Sequence, residues 1–131
     1  MEDKRDLNIV ITCLDRDYCE KVAEKLATQF DMYYLNSQAL YEFDIQPYTL
    51  SYVIKKFGME QFRKNQSGTM KYVSTFSNTI ITVESGALLY QNNLDVLTKD
   101  GLIVYLKKGV DKLYKTLVNK DYTSREEYNF Y

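Results

Sequence analysis

Apolar residues along this chain fall into short unbroken runs separated by stretches in which they recur every three to four positions. Leu7 to Cys13 is nearly all apolar, and reads as a buried strand. Tyr18, Val22, Leu26 and Phe30 follow at a spacing of four, with Ala23 and Ala27 beside them, which predicts one helix with a single apolar stripe. Met32 to Leu35 is a second short strand. Ser37 is placed to cap a helix through Phe43, and Pro47 breaks the chain after it. Thr49 is placed to cap a helix through Phe57 that Gly58 closes as its C′ residue. A longer helix spans Met59 to Phe76, in which Gly68 costs about 1 kcal/mol relative to alanine. Thr79 to Val83 is β-branched at every position, the signature of a third strand. A helix from Asn93 to Lys99, a strand from Leu102 to Leu106 and a helix from Val110 to Val118 complete the pattern. The tail, Asn119 to Tyr131, is polar with aromatic residues near its end.

Near-continuous apolar strands separated by helices predict an α/β domain with a short parallel sheet covered on both faces. The whole chain, 1–131, reads as a single domain. In such sheets ligands sit beyond the carboxyl ends of the strands. That directs attention to Cys13–Lys21, Leu35–Ser37 and Glu84–Gly86.

The charge balance narrows the partners. Lys and Arg number 17 against 18 Asp and Glu, a net charge of −1. Nucleic acids and anionic membrane surfaces are bound through a positive excess that is missing here, so neither is an expected partner. No apolar run approaches the roughly 20 residues of a membrane span, and the charged N-terminus does not resemble a signal peptide, which predicts a cytoplasmic location. The two cysteines, Cys13 and Cys19, read as reduced cytosolic thiols. The absence of histidine removes the commonest general base and metal ligand, so no metal site is expected.

The first strand–turn–helix unit is where nucleotide-binding α/β proteins place a glycine-rich phosphate loop. The first 57 residues of this chain contain no glycine. Asp15, Asp17 and Glu20 set three carboxylates in that turn against Arg16 and Lys21. Asp17-x-x-Glu20 has the spacing of a capping box, so the turn reads as a capped structural element. Glu84-Ser85-Gly86 reads as a turn shaped by Gly86, with Glu84 in solvent.

From Leu7 to Leu117 the chain resembles the shikimate kinase family. Asn8-Ile-Val-Ile is similar to the family's first strand, and Gly58-Met-Glu-Gln-Phe-Arg63 to its G-E-x-x-F-R segment. Thr79 to Gly86, continuing into Ala-Leu-Leu, resembles the strand leading into the family's three-glycine turn. Lys99-Asp-Gly-Leu-Ile-Val-Tyr-Leu106 resembles the strand after it. The resemblance implies the strand order 2-3-1-4. It places the family's phosphate-loop glycines on Cys13, Arg16 and Tyr18, its lysine on Cys19 and its magnesium-binding hydroxyl on Glu20. The D-x-D pair falls on Leu35-Asn36-Ser37. Of the family's functional residues, Arg63, which implies a carboxylate fork, and Gly86 are retained.

These departures lead to the expectation of a P-loop kinase-like fold without a functional phosphate loop. The expected role is a non-catalytic, cytosolic binding or interaction module with no catalytic residue and no cofactor, ATP included. Its partner would be an unknown protein or a small carboxylate held at Arg63 and Gly86. The alternatives are a small-molecule phosphotransferase of the shikimate kinase type and a carboxylate-metabolite sensor. Replacing Arg63 is expected to leave the ligand-free stability almost unchanged. The family continues beyond the last helix with a lid and further elements. Here the tail, 119–131, is expected to pack on the sheet edge or remain flexible, and the chain to be a monomer or a homodimer.

Overall fold

The computed structural model describes residues 7–107. The expected helix from Val110 to Val118 and the tail lie outside the described residues. So does the question of what covers the last strand.

Four parallel strands form one sheet. They are β1 (Asn8–Thr12), β2 (Tyr33–Asn36), β3 (Thr79–Thr82) and β4 (Gly101–Tyr105), in the order β2-β3-β1-β4. Ile9 of β1 lies opposite Ile80 on one side and Leu102 on the other. The order agrees with the family topology. The helices are α1 (Arg16–Phe30), α2 (Ser37–Asp44), α3 (Leu50–Phe57), α4 (Met59–Val73) and α5 (Gln91–Thr98), with a 3₁₀ turn at Ser85–Leu89.

Successive strand residues point to opposite faces, so the central strands feed two cores at once. Val10 and Ile81 pack with Met70, Val73, Ala87 and Leu97 on the α4–α5 face. Ile11 and Ile80 pack with Cys13, Cys19, Ala23, Ala27 and Met32 on the α1 face. A third cluster of Tyr41, Leu50, Ile54 and Phe62 joins α2, α3 and α4.

Helix α1 is turned from its expected orientation. Its buried ridge is Cys19, Ala23 and Ala27, whereas Tyr18 and Phe30, at the ends of the predicted stripe, are exposed. Small side chains let the helix lie close to the sheet. Close enough, in fact, for the Cys19 thiol to reach the Ile11 carbonyl at 3.5 Å.

The caps also differ from expectation. The N-cap of α1 is Asp15, two residues before Asp17, and its side chain accepts from the Tyr18 N–H. The N-cap of α2 is Asn36, which frees Ser37 for a different role. Thr49 caps α3 as expected, and Gly58, at φ +89°, joins α3 to α4 in a conformation that side chains disfavour. Helix α4 stops at Val73, short of Phe76. There the Ser74 and Thr75 hydroxyls turn back onto the Lys71 and Tyr72 carbonyls, a side-chain competition that ends helices. At the amino end of the sheet, buried Asn8 donates to the Phe76 carbonyl and accepts from the Thr79 N–H, tying β1 to β3.

Candidate functional site

The parallel sheet brings the three segments singled out from the sequence to one edge, the carboxyl ends of β1, β2 and β3. At the first, β1 runs through Cys13 into α1. Asp15 is only 4% exposed, and its Oδ1 takes the Tyr18 N–H at 3.3 Å. A helix N-terminus offers unpaired N–H groups and a favourable dipole to an anion. Here a carboxylate of the chain itself takes that position.

The two thiols sit just below this turn. Cys13 donates to the Asp15 carbonyl at 3.0 Å. The Cys13 thiol beside it and burial hold the Cys19 thiol far above its ordinary pKa. Both cysteines are buried, and no disulfide joins them.

The second segment is joined to the first by Glu20. Its Oε2 accepts from Arg16 Nε at 2.7 Å and from Asn36 Nδ2 at 2.8 Å. Arg16 also reaches Glu42 at 3.5 Å. Asn36 therefore works twice, capping α2 with its Oδ1 and holding Glu20 with its amide nitrogen.

The third segment departs most from the sequence reading. Glu84 is buried, 6% exposed, where a solvated turn residue was expected. Its Oε2 accepts from Gln66 Nε2 at 3.1 Å, and its Oε1 lies 3.3 Å from Ser37 Oγ. Ser37 also lies 2.8 Å from the Thr82 carbonyl, which can only accept. A serine hydroxyl has a single hydrogen, so the shorter contact takes it. The Ser37–Glu84 contact is then satisfied when the carboxyl carries the proton. Burial pushes the Glu84 carboxyl up to about 7, although the hydrogen bond from Gln66 and the charge of Arg16 pull the other way.

Arg63 lies on α4, half-buried. Its Nη1 donates to Gln66 Oε1 at 2.7 Å, and its guanidinium stands 5.3 Å from the Phe62 ring centre and 5.7 Å from that of Tyr90. Arg63, Gln66 and Glu84 thus form a continuous chain of hydrogen bonds from α4 to the end of β3. Gly86 is buried in the 3₁₀ turn that follows. The sequence reading missed Asp15, Gln66 and the burial of Glu84. The i, i+3 spacing of Arg63 and Gln66 on one helix was the available signal for part of it.

The space left between these groups is small. The cavity bounded by Cys13, Arg16, Asn36 and Glu84 has a volume of about 20 Å³, room for roughly one water. Among the described residues no group of three or more Asp, Glu, His or Cys is arranged to hold a metal ion. Nor is any helix among them long and apolar enough to cross a membrane.

Comparison with known proteins agrees on the family and the fold. The family model described as shikimate kinase matches residues 20–127. A shikimate kinase of Clostridium botulinum is 28% identical over 82 residues, which cover 63% of this chain and 48% of that protein. A shikimate kinase of Caldicellulosiruptor saccharolyticus is 29% identical over 96 residues, covering 73% of this chain and 53% of that protein. The chain therefore spans about half the length of these relatives. Among solved structures, the shikimate kinase of Bacteroides thetaiotaomicron superposes with a TM-score of 0.79 at 16% identity, over 95% of this chain and 73% of that one. That of Acinetobacter baumannii, in complex with shikimate, gives 0.76 at 20% identity, over 92% and 64%. At these identities the structural matches speak for the fold.

Proposed function

This chain belongs to the shikimate kinase family, and we propose that it is a non-catalytic member, a cytosolic binding or interaction module that does not bind ATP. The observation that carries this reading is the Asp15 carboxylate seated on the Tyr18 N–H, where the family resemblance places the phosphate loop. A phosphate at that place would have to displace a buried carboxylate and approach it against like charge. Phosphoryl transfer depends almost wholly on positioning and charge stabilisation. The positions on which the resemblance places the family's lysine and magnesium-binding hydroxyl are Cys19 and Glu20, which supply neither. Glu20 is already held by Arg16 and Asn36.

What such a module would bind is a protein partner or a small carboxylate. For the carboxylate, Arg63 and Gly86 are the residual site. Such a ligand would compete with the hydrogen bond from Arg63 to Gln66.

Titration calorimetry with Mg-ATP and a coupled assay for shikimate phosphorylation test the reading. Neither saturable heat at millimolar nucleotide nor turnover is expected. A micromolar Kd for Mg-ATP, or phosphorylation of shikimate, would overturn it. A thermal shift with shikimate that disappears in Arg63→Ala would support the carboxylate site, and one that persists would place it elsewhere.

A further inference from the structure

The chain of hydrogen bonds that begins at Arg63 has a direction, fixed by the chemistry of its members. A guanidinium has only donors, so the Gln66 Oε1 that Arg63 meets at 2.7 Å is the accepting atom. The Gln66 amide is thereby turned so that its nitrogen donates to Glu84 Oε2 at 3.1 Å. That leaves Glu84 Oε1 as the oxygen that carries a proton, and Oε1 faces Ser37 at 3.3 Å. Ser37 Oγ accepts from it and sends its own hydrogen to the Thr82 carbonyl at 2.8 Å. Every hydrogen in the series points the same way, from α4 toward the main chain of β3. Gln66, Glu84 and Ser37 are all buried, so bulk water does not compete for these bonds.

Loss of the proton reverses one link. Glu84 Oε1 becomes a charged acceptor, and a hydrogen bond to a charged acceptor is about twice as strong as one to a neutral carbonyl. Ser37 then has two acceptors within reach and one hydrogen to give.

We infer that Ser37 and Glu84 form a proton-operated switch at the start of α2. With Glu84 neutral, Ser37 ties the first residue of α2 to the main chain of β3. On ionisation the carboxyl O–H bond breaks and the proton passes to water. The Ser37 hydroxyl turns from the Thr82 carbonyl to the Glu84 carboxylate, and α2 is tied to that side chain instead. The neighbouring Asn36 caps α2 and holds Glu20 of α1, and Gln66 belongs to α4. One proton therefore sets how three helices meet at the strand ends. The switch does not rest on the reading proposed above.

Other charged and titratable groups surround it. Arg16 and Glu20 of α1 border the same small cavity as Glu84, with Cys13 and Cys19. Arg16 favours the ionised form and is itself paired with Glu20 and with Glu42 of α2. From α4, Arg63 acts through Gln66. Tyr34 of β2 touches the Thr82 hydroxyl at 3.3 Å. Burial raises the pKa of Tyr34, and the Cys13 thiol and burial raise that of Cys19, so both stay neutral while Glu84 titrates.

The test is carbon-13 NMR of the labelled full chain from about pH 5 to about pH 9, a range that brackets the transition. It follows the Glu84 carboxyl carbon and the Thr82 carbonyl carbon. The Glu84 signal should titrate near pH 7. The Thr82 signal should move upfield with the same midpoint, as a carbonyl carbon does when it loses a hydrogen bond. In Glu84→Gln the Thr82 signal should show no step. In Ser37→Ala Glu84 should still titrate, while most of the Thr82 step disappears and the remainder reports the field of the new charge. The proposal fails if Glu84 does not titrate in this range, or if Thr82 stays still while it does. It fails equally if the step persists in Glu84→Gln or is as large in Ser37→Ala as in the parent.

Discussion

The Glu84 carboxyl and the Gln66 amide meet at 3.1 Å across the end of β3, and this contact carries the link from Arg63 into the interior. A charged carboxylate here would be shut away from water, with the charge of Arg16 too weak to offset its burial. The proton resolves that conflict.

Stability should therefore fall as the pH rises through neutrality. The folded-state pKa of Glu84, about 7, lies above the ordinary value of 4.5. The neutral acid thus contributes stability that is fully present below about pH 4.5 and lost as the pH passes 7. The shift corresponds to about 3 kcal/mol. In Glu84→Gln the amide nitrogen donates to Ser37 and the amide oxygen accepts from Gln66. This variant should match the parent near pH 5 and exceed it by about 3 kcal/mol near pH 9 in urea melts. A constant difference between the two proteins across that range would refute a titrating Glu84.

Arg63→Ala should destabilise the ligand-free protein, contrary to what the sequence alone suggests. It leaves Gln66 Oε1 buried without its donor, a cost of about 1–3 kcal/mol. The double variant with Glu84→Gln should be non-additive by more than about 0.5 kcal/mol, because both act through Gln66. Additive denaturation midpoints would mean that the two ends of the chain of bonds are independent.

Asp15→Ala should cost about 1 kcal/mol through loss of the α1 cap. Asp17→Ala should cost little, since the cap lies two residues earlier. The reverse ranking in thermal melts would restore the cap expected from the sequence.

The thiols should be unreactive in the folded protein. Both are buried, and the Cys19 pKa is raised, so little thiolate forms at neutral pH. Ellman's reagent should titrate neither under native conditions and both in denaturant. Rapid native labelling would show that the first turn opens.

Two glycines should respond with opposite signs. At Gly101 an added Cβ would run into the Leu97 carbonyl oxygen, so Gly101→Ala should cost about 1–3 kcal/mol by overpacking. At Gly68 the space is open, and Gly68→Ala should gain about 1 kcal/mol. Circular-dichroism melts of both variants decide it.

The strands were legible because Ile80 and Ile81, like Val10 and Ile11, are buried on both faces, and a buried parallel strand writes an unbroken apolar run, whereas their order came from the family resemblance alone. Cap positions were less so. Asp15, Asp17, Asn36 and Ser37 are all competent caps, and only the packing of Cys19, Ala23 and Ala27 fixes where α1 begins. The burial of Glu84 was not legible at all. It depends on Gln66, 18 residues away, and Ser37, 47 residues away, which the sheet order brings together. A local window over Glu84-Ser85-Gly86 contains neither.

Glu84 has a consequence for anything that binds at the strand ends. Fixed to the same chain, its carboxyl acts as a tethered competitor, present at an effective concentration that no dilution removes. A free carboxylate that took over its bond from Gln66 would have to displace it, and its apparent affinity would fall accordingly. Displacement also carries a chemical trace. Once expelled into water, Glu84 returns toward its ordinary acidity and, near pH 6, gives up its proton. Binding there would acidify the solution, and the heat measured would change with the ionisation enthalpy of the buffer.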